Sequence, residues 1–448
     1  MPADLVEIEP LGGPLRAEVP VPGSKSMTNR ALILAALADG PTAIEHALRS
    51  DDTDRMVGAL GALGFALGTD EAAATMTVVG QGGRIPSRKA NLFVGASGTC
   101  ARFLTALVAL GSGEYALDGS PRMRQRPIAP LLEALNQLGA EAVSVPGTGC
   151  LPVRVRARGL RGGRAAIDAS VSSQFVSALL MVAPRAEDGL ELRLEGAVVS
   201  RPYIDMTLQQ MARAGVEGRW RDDRTLVVPG GQRYRAGRQV MESDASNASY
   251  FFAAAAATGG WVRVSRLPSD SIQGDLALLG VLEAMGCRVR READAVEVSG
   301  PEGGRLRAVA VDANAFPDMA QTIAALAPFA DGPVEVRNVA SLRVKETDRI
   351  GAVVAELRRL GQEVEERPDR FRITPRPLRP ATVRTYDDHR MAMAFSIVGL
   401  RAPGVRIADP GCVAKTFPTY FDALAGAGVG IRYLEPAVGK TPIPRSAG

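Results

Sequence analysis

The sequence predicts an α/β fold of two pseudo-threefold domains, six copies of one unit with apolar helices inside. Three observations predict it. A glycine closes an amphipathic helical segment six times, a short β-type run precedes each such segment, and an almost wholly apolar helical segment precedes each run. The glycines are Gly64, Gly139, Gly215, Gly286, Gly361 and Gly428, spaced 67 to 76 residues apart, and self-similarity at a near-constant period signals a repeat architecture.

The elements follow in order. The apolar segments are ALILAALA, ARFLTALVAL, VSALLMVA, YFFAAAAA, AQTIAALAPFA and MAMAFSIVGL. A helix apolar on all sides must be buried on all sides, whereas an amphipathic one can face water. The length and Ala content of these runs argue against core strands. The β-type runs are TAIEHAL, EYALDGS, LELRLEG, WVRVSRL, VEVRNVA and VRIADPG, with TLVVPG and FRITP among the strands that fill the gaps. Each closing Gly sits where a left-handed C-cap belongs. Six units divide into two domains of three, with a crossover near Met241 to Asp244. In a pseudo-threefold domain the related interior helices run parallel, so their N-termini converge. Converging N-termini make an anion site, because free N–H groups and positive dipole ends point one way. The loops there read GSKS, ASGT, SVSSQ, SDASN, FPD and YDDHR.

Composition narrows the function classes. A length of 448 residues allows two or three domains. The net charge of +4 comes without a Lys/Arg block, so local basic sites are expected rather than a nucleic-acid or membrane surface. The start, MPADLVEIEP, lacks a charged-then-apolar targeting pattern. The charge-free stretch 245–262 is too rich in Ala, Ser, Asn and Gly for a membrane span. The cytoplasm and a monomer are expected. Four scattered cysteines and two histidines, His46 and His389, give no zinc or disulfide framework, so no metal is expected. Pro436 to Gly448 reads as a disordered tail.

Only five lysines stand against 48 arginines. A chain that uses Arg by default keeps Lys where a compact, rotatable ammonium is needed. Three of the five, Lys25, Lys345 and Lys415, lie in GSKS, VKETDR and AKTFP. GSKS with Arg30 one turn on lacks Walker A spacing, and alone it reads equally as an N-cap beside a solvated Lys. SGTCAR repeats its form. PRMRQRP sets Arg122, Arg124 and Arg126 within five residues; forked guanidinium groups suit phosphate or carboxylate, and a solvated charge run is the alternative. SVSSQ and SRPY add hydroxyls and an amide that suit a polyhydroxylated phosphate ligand or serve as caps. LRVKETDR gathers Lys345, Glu346, Asp348 and Arg349, a grouping that also fits a charged helix start. FPD places Asp318, and YDDHRMAM places His389 and Arg390, ahead of apolar helices. Hydroxyls and arginines in the first half, with Lys, Arg, His and carboxylates in the second, suit two domain faces closing on a pair of small anionic substrates.

In this order and at these spacings, GSKSMTNRALILAALA, SGT-x-x-R, PRMRQRPI, SVSSQF, SRPYID, LRVKETDR, YDDHRMAM and AKTFP resemble the 5-enolpyruvylshikimate-3-phosphate synthase family of enolpyruvyl transferases. The resemblance covers essentially the whole chain and all six repeats. It implies the two-domain inside-out α/β barrel of that family, each domain three βαβαββ units around interior helices. Residues 1–23 would then supply a strand to the second domain, 24–243 form the first domain, and 244–448 form the second. The first would hold mainly shikimate 3-phosphate, and the second much of the phosphoenolpyruvate and acid–base set. The implied reaction joins phosphoenolpyruvate to the 5-hydroxyl of shikimate 3-phosphate and releases phosphate through a tetrahedral intermediate. It requires neither metal nor organic cofactor.

The resemblance further implies that Lys25, Ser26, Arg30, Ser172, Ser173, Gln174, Ser200 and Tyr203 contact shikimate 3-phosphate, joined by Asp318, Ser341 and Lys345 from the other domain. Lys25, Gly98, Arg126, Gln174, Arg349, Arg390 and Lys415 would form the phosphoenolpyruvate shell, with His389 an additional candidate. Asp318 would take the 5-hydroxyl proton, and Glu346 with Lys25 would serve the methylene carbon. The chain departs from the family pattern at Ala96 and Phe103, where Asn and Pro are common in a loop whose position governs glyphosate inhibition. It departs again at Ser341, where Asn is common. The alternatives are an enolpyruvyl transferase acting on UDP-N-acetylglucosamine, whose reactive loop Cys has no match here, and a noncatalytic anion-binding repeat protein or nucleic-acid binder. Sparse aromatics and missing basic blocks speak against nucleic acid.

Overall fold

The computed structural model describes residues 4–434; the segment from Pro436 expected to form a tail lies outside the described residues. The described chain separates into two compact units, residues 23–241 and residues 4–22 with 242–434. The first unit carries α1 (Lys25–Leu37), α2 (Asp51–Ala62), α3 (Gly98–Ala109), α4 (Ala129–Gln137), α5 (Ser173–Val182) and α6 (Arg201–Arg213). The second carries α7 (Ala245–Thr258), α8 (Leu278–Ala284), α9 (Ala320–Leu326), α10 (Arg349–Arg359), α11 (His389–Gly399) and α12 (Tyr420–Gly426).

Odd-numbered helices are the apolar segments of the sequence, and they are buried nearly all round: every residue of α3, α9 and α11 is buried. In each unit the three odd-numbered helices pack on one another. Even-numbered helices bury one face, as α6 does with Ile204, Leu208 and Met211 while Arg213 stays wet. Both units are inside-out α/β barrels in this sense, with helices at the centre and sheets around them.

Each unit has three four-stranded sheets, and all six share one pattern. An edge strand pairs in parallel with the strand that follows the interior helix, and that strand pairs antiparallel with a hairpin. Val153–Arg158 shows why one face of each sheet is core: its residues alternate strictly between buried and exposed. Repetition closes in a circle. In the 23–241 unit the last strand, Gly237–Val240, supplies the parallel edge of the first sheet beside Asp39–Glu45. In the other unit the matching edge is Arg16–Glu18, beside Trp261–Ser265. There Leu5–Ile8 lies between Val405–Ala408 and Ile431–Leu434 as the final hairpin strand of the sixth repeat. The two units are thus circular permutations of one plan.

All six closing glycines adopt positive φ, between 86° and 100°, the left-handed geometry that terminates a helix without a Cβ clash. One apolar segment is shorter than its sequence suggests. AQTIAALAPFA yields only Ala320–Leu326 as α-helix, flanked by 3₁₀ turns at Pro317–Met319 and Ala327–Phe329, because Pro328 has no N–H to continue the ladder. Among the described residues no helix is long and apolar enough to cross a membrane. At Gly428 an added Cβ meets nothing within 4 Å, so backbone strain at φ 95° is the sole penalty. Gly428→Ala is expected to cost about 1 kcal/mol, seen as a lowered urea midpoint.

Candidate active site

In the 23–241 unit the site begins at Gly23, whose hypothetical Cβ would lie 1.7 Å from the His46 carbonyl oxygen; only glycine lets the chain pass there. It enters α1 with Lys25 and Ser26 at the helix start. Lys25 Nζ is 3.5 Å from Asp52 Oδ2, a buried carboxylate in the first turn of α2. One turn further, Arg30 is buried and reaches across the bundle. Its Nε donates to Thr207 Oγ1 (2.7 Å), Nη2 to Ser177 Oγ (3.1 Å) and the Tyr203 carbonyl (3.2 Å), and Nη1 to the Ser26 carbonyl (2.9 Å). The guanidinium lies 5.3 Å from the Phe103 ring centroid, so the aromatic that departs from the family pattern makes a cation–π contact here. Phe103, Ser177 and Arg30 stand in the first two turns of their helices, so the N-terminal turns of α1, α3 and α5 come together. Burial pulls the Arg30 guanidinium down to about 10, which leaves it charged at neutral pH, and an anion bound nearby would raise it again.

Ser97 caps α3 by accepting from the Cys100 amide (3.3 Å). A Cβ on Gly98 would stand 2.8 Å from both Arg102 Nη1 and Arg126 Nη2, so the absent side chain lets Arg126 lie against the helix start. The three arginines of PRMRQRP part company. Arg126 is buried and donates to the Ala96 carbonyl (3.5 Å), whereas exposed Arg124 pairs with Asp118 and Arg122 with Gln125. Gln174 Nε2 donates to Thr99 Oγ1 (3.4 Å), tying the start of α5 to that of α3. Ser172 caps α5 and Ser173 is buried beside it. Ser200, the N-cap of α6, holds a left-handed φ of 53°, an uncommon geometry for a residue with a Cβ.

The second unit concentrates charge. Arg349, the first residue of α10, is 1% exposed. Its Nε and Nη2 donate to the two oxygens of Asp388 (2.6 and 3.2 Å), Nη2 also meets Glu346 Oε2 (2.9 Å), and Nη1 donates to Asp318 Oδ1 (2.9 Å). Arg390 Nη2 donates to the other Asp318 oxygen (3.0 Å) and to Ser246 Oγ (3.4 Å), and Nη1 to the Tyr250 hydroxyl (3.2 Å). Lys345 Nζ stands 3.8 Å from Asp318, and Lys415 Nζ 3.3 Å from Glu346. Ser246, Asp318 and Arg390 all stand at helix starts, so the interior helices of this unit converge in the same way. His389 is buried, with Nδ1 3.5 Å from Asp388 Oδ1. Ser341 is half-buried in the 3₁₀ turn Ala340–Val344 that leads to Lys345.

Asp318, the carboxylate of FPD, sits among three cations, Lys345, Arg349 and Arg390. Burial pushes its carboxyl up, but Arg390, Lys345 and Arg349 outweigh that and hold it far below the usual carboxylate range. Burial likewise opposes the charge of Arg349, and Asp388, Glu346 and Asp318 overcome it and raise its pKa. Asp388, which caps α11 and is fully buried, escaped sequence reasoning as an anchor, as did Asp52. The available signal was an acidic residue directly before or within a helix start facing a Lys or Arg loop. Asp388→Ala removes a bidentate partner from a buried guanidinium and is expected to destabilise the protein by about 3 to 5 kcal/mol, read in urea unfolding without substrates.

A family model described as EPSP synthase (3-phosphoshikimate 1-carboxyvinyltransferase) matches residues 11–424. A 3-phosphoshikimate 1-carboxyvinyltransferase of Nostoc punctiforme is 50% identical over 418 residues, covering 93% of this chain and 98% of its own. The chloroplastic enzyme of that name from Petunia hybrida is 47% identical over 425 residues, covering 91% and 82%. The solved EPSP synthase of Acinetobacter baumannii superposes with a TM-score of 0.78 at 23% identity, covering 96% and 99%, and so matches in fold. Sequence, repeat plan and fold agree: the chain belongs to the EPSP synthase family.

Proposed function

We propose that the chain transfers the enolpyruvyl group of phosphoenolpyruvate to the 5-hydroxyl of shikimate 3-phosphate and releases phosphate through a tetrahedral intermediate. The observation that carries this reading is Asp318 set between Arg349, Arg390 and Lys345, a carboxylate poised where anions are drawn. Within residues 23–241, Ser26, Arg30, Ser172, Ser173, Ser200 and Tyr203 are assigned to shikimate 3-phosphate. Lys25, Gly98, Arg126 and Gln174 are assigned to phosphoenolpyruvate. In the second unit Arg349, Arg390 and Lys415 complete the phosphoenolpyruvate set, while Lys345 and Ser341 serve shikimate 3-phosphate.

Charge balance gives the sequence of events. Without substrate, Asp318 is a poor base because its neighbouring cations stabilise its charged form. When the carboxylate and phosphate of phosphoenolpyruvate engage Arg349 and Arg390, those cations are shared and Asp318 regains basicity. It then takes the 5-hydroxyl proton as the oxygen bonds to C2, and a proton is added at C3. Loss of that added proton and of phosphate from C2 returns the double bond. Glu346, held between Arg349 and Lys415, and Lys25 are assigned to the C3 proton.

Phosphate release with phosphoenolpyruvate plus shikimate 3-phosphate, and none with UDP-N-acetylglucosamine as acceptor, is the expected outcome of the direct assay. Release with neither acceptor would overturn the reading. Asp318→Asn is expected to keep ligand binding in calorimetry yet lower turnover by about two orders of magnitude or more. Lys25→Arg, which swaps a point charge for a planar fork beside Asp52, is expected to lose most activity although the charge is retained; wild-type rates would make Lys25 a solvated cap.

A further inference from the structure

Two residues directly ahead of the α11 site stand in a conformation that L side chains rarely adopt. Tyr386 and Asp387 both have φ of 56°, and neither is a glycine. Asp tolerates the left-handed region better than most residues, but an aromatic side chain does not. A contact outside the backbone is therefore needed to hold the turn.

That contact is Glu356. It is fully buried on α10, and its Oε1 accepts from the Tyr386 hydroxyl at 2.7 Å while Oε2 accepts from the Arg384 amide at 3.1 Å. Arg359 Nε reaches the same carboxylate at 2.9 Å. Seven residues earlier on α10, Arg349 takes both oxygens of Asp388. Residues seven apart lie two turns along one helix face, so α10 grips the segment 384–388 at both ends. Between the grips the chain makes its left-handed turn, closed by the Asp388 amide donating to the Thr385 carbonyl at 2.9 Å. The turn delivers Asp388 to cap α11 through the Arg390 amide and so fixes where Arg390 begins.

We propose that Tyr386 and Glu356 are positioning residues: their hydrogen bond holds the left-handed turn that sets the placement of Asp388 and Arg390, and through them the anion-binding geometry of Arg349 and Arg390. The inference rests on the assignment of those arginines to phosphoenolpyruvate. The Tyr386 ring packs against the core, and Tyr386→Phe keeps that packing while removing one oxygen.

Tyr386→Phe is expected to raise the KM for phosphoenolpyruvate about three- to tenfold, the weight of one hydrogen bond, and to leave the KM for shikimate 3-phosphate unchanged. Glu356→Gln, which cannot accept from both donors as the carboxylate does, is expected to shift the same ratio the same way. Arg359→Ala, which contacts Glu356 without touching the turn, serves as the control and should retain wild-type constants. Inorganic phosphate titrated calorimetrically into the substrate-free protein gives a second readout that needs no turnover, with weaker binding expected in the first two variants only. Unchanged phosphate binding and an unchanged ratio of KM values would overturn the proposal, as would an equal rise in both KM values. Weakened phosphate binding in a protein that releases no phosphate from phosphoenolpyruvate would instead overturn the assigned reaction and leave the turn's role standing.

Discussion

One buried guanidinium organises the charged half of this protein. Arg349 binds Asp388, Glu346 and Asp318, which come from the start of α11, the loop before α10 and the turn before α9. A cation so enclosed is tolerable only with partners of opposite charge. Each of those carboxylates would be costly without a cation, so the four groups hold each other in place. The rest of the site follows from this constraint. Asp388 has no exposure and serves as an anchor, while Asp318 and Glu346 keep some contact with solvent, on the side from which an incoming anion would compete with them for Arg349.

The other unit meets a related demand differently. Arg30 is satisfied by hydroxyls, carbonyls and aromatic rings. Neutral partners satisfy its donors but not its charge, which is why burial lowers its pKa. An anion at that helix-start cluster would supply the missing countercharge. The repeat plan thus gives two clusters of converging helix starts, one lined mainly by hydroxyls and one by ion pairs.

Much of this was legible in the chain because it is repeated. Glycine, β-run and all-apolar helix recur six times, and no single copy would have been persuasive. Helix starts were equally plain, since Ser, Asp and Gly ahead of apolar segments have few other uses. What local sequence could not separate were residues of like type in one loop. Arg122, Arg124 and Arg126 differ only in where a short 3₁₀ turn aims them, and that turn faces inward at Arg126 alone. Asp388 hid for another reason: its importance lies in Arg349, 39 residues away, and capping its own helix explained its presence equally well. How strongly Asp318 is held in its charged form could not be read from FPD alone, because it depends on three cations brought together only by folding.

The permuted closure of the second unit has a consequence for how the chain acquires its structure. Leu5–Ile8 can join its sheet only when residues 405–408 and 431–434 have been made and placed beside it, whereas residues 23–241 contain every strand of their own three sheets. Pairings so distant in sequence carry a large loop-closure entropy and form slowly. During synthesis the 23–241 unit can therefore complete its core while Leu5–Ile8 waits unpaired for the last strands. Through that interval Leu5–Ile8 presents an unsatisfied β-edge, and chain assembly ends where it began, with the first strand sealing the sixth repeat.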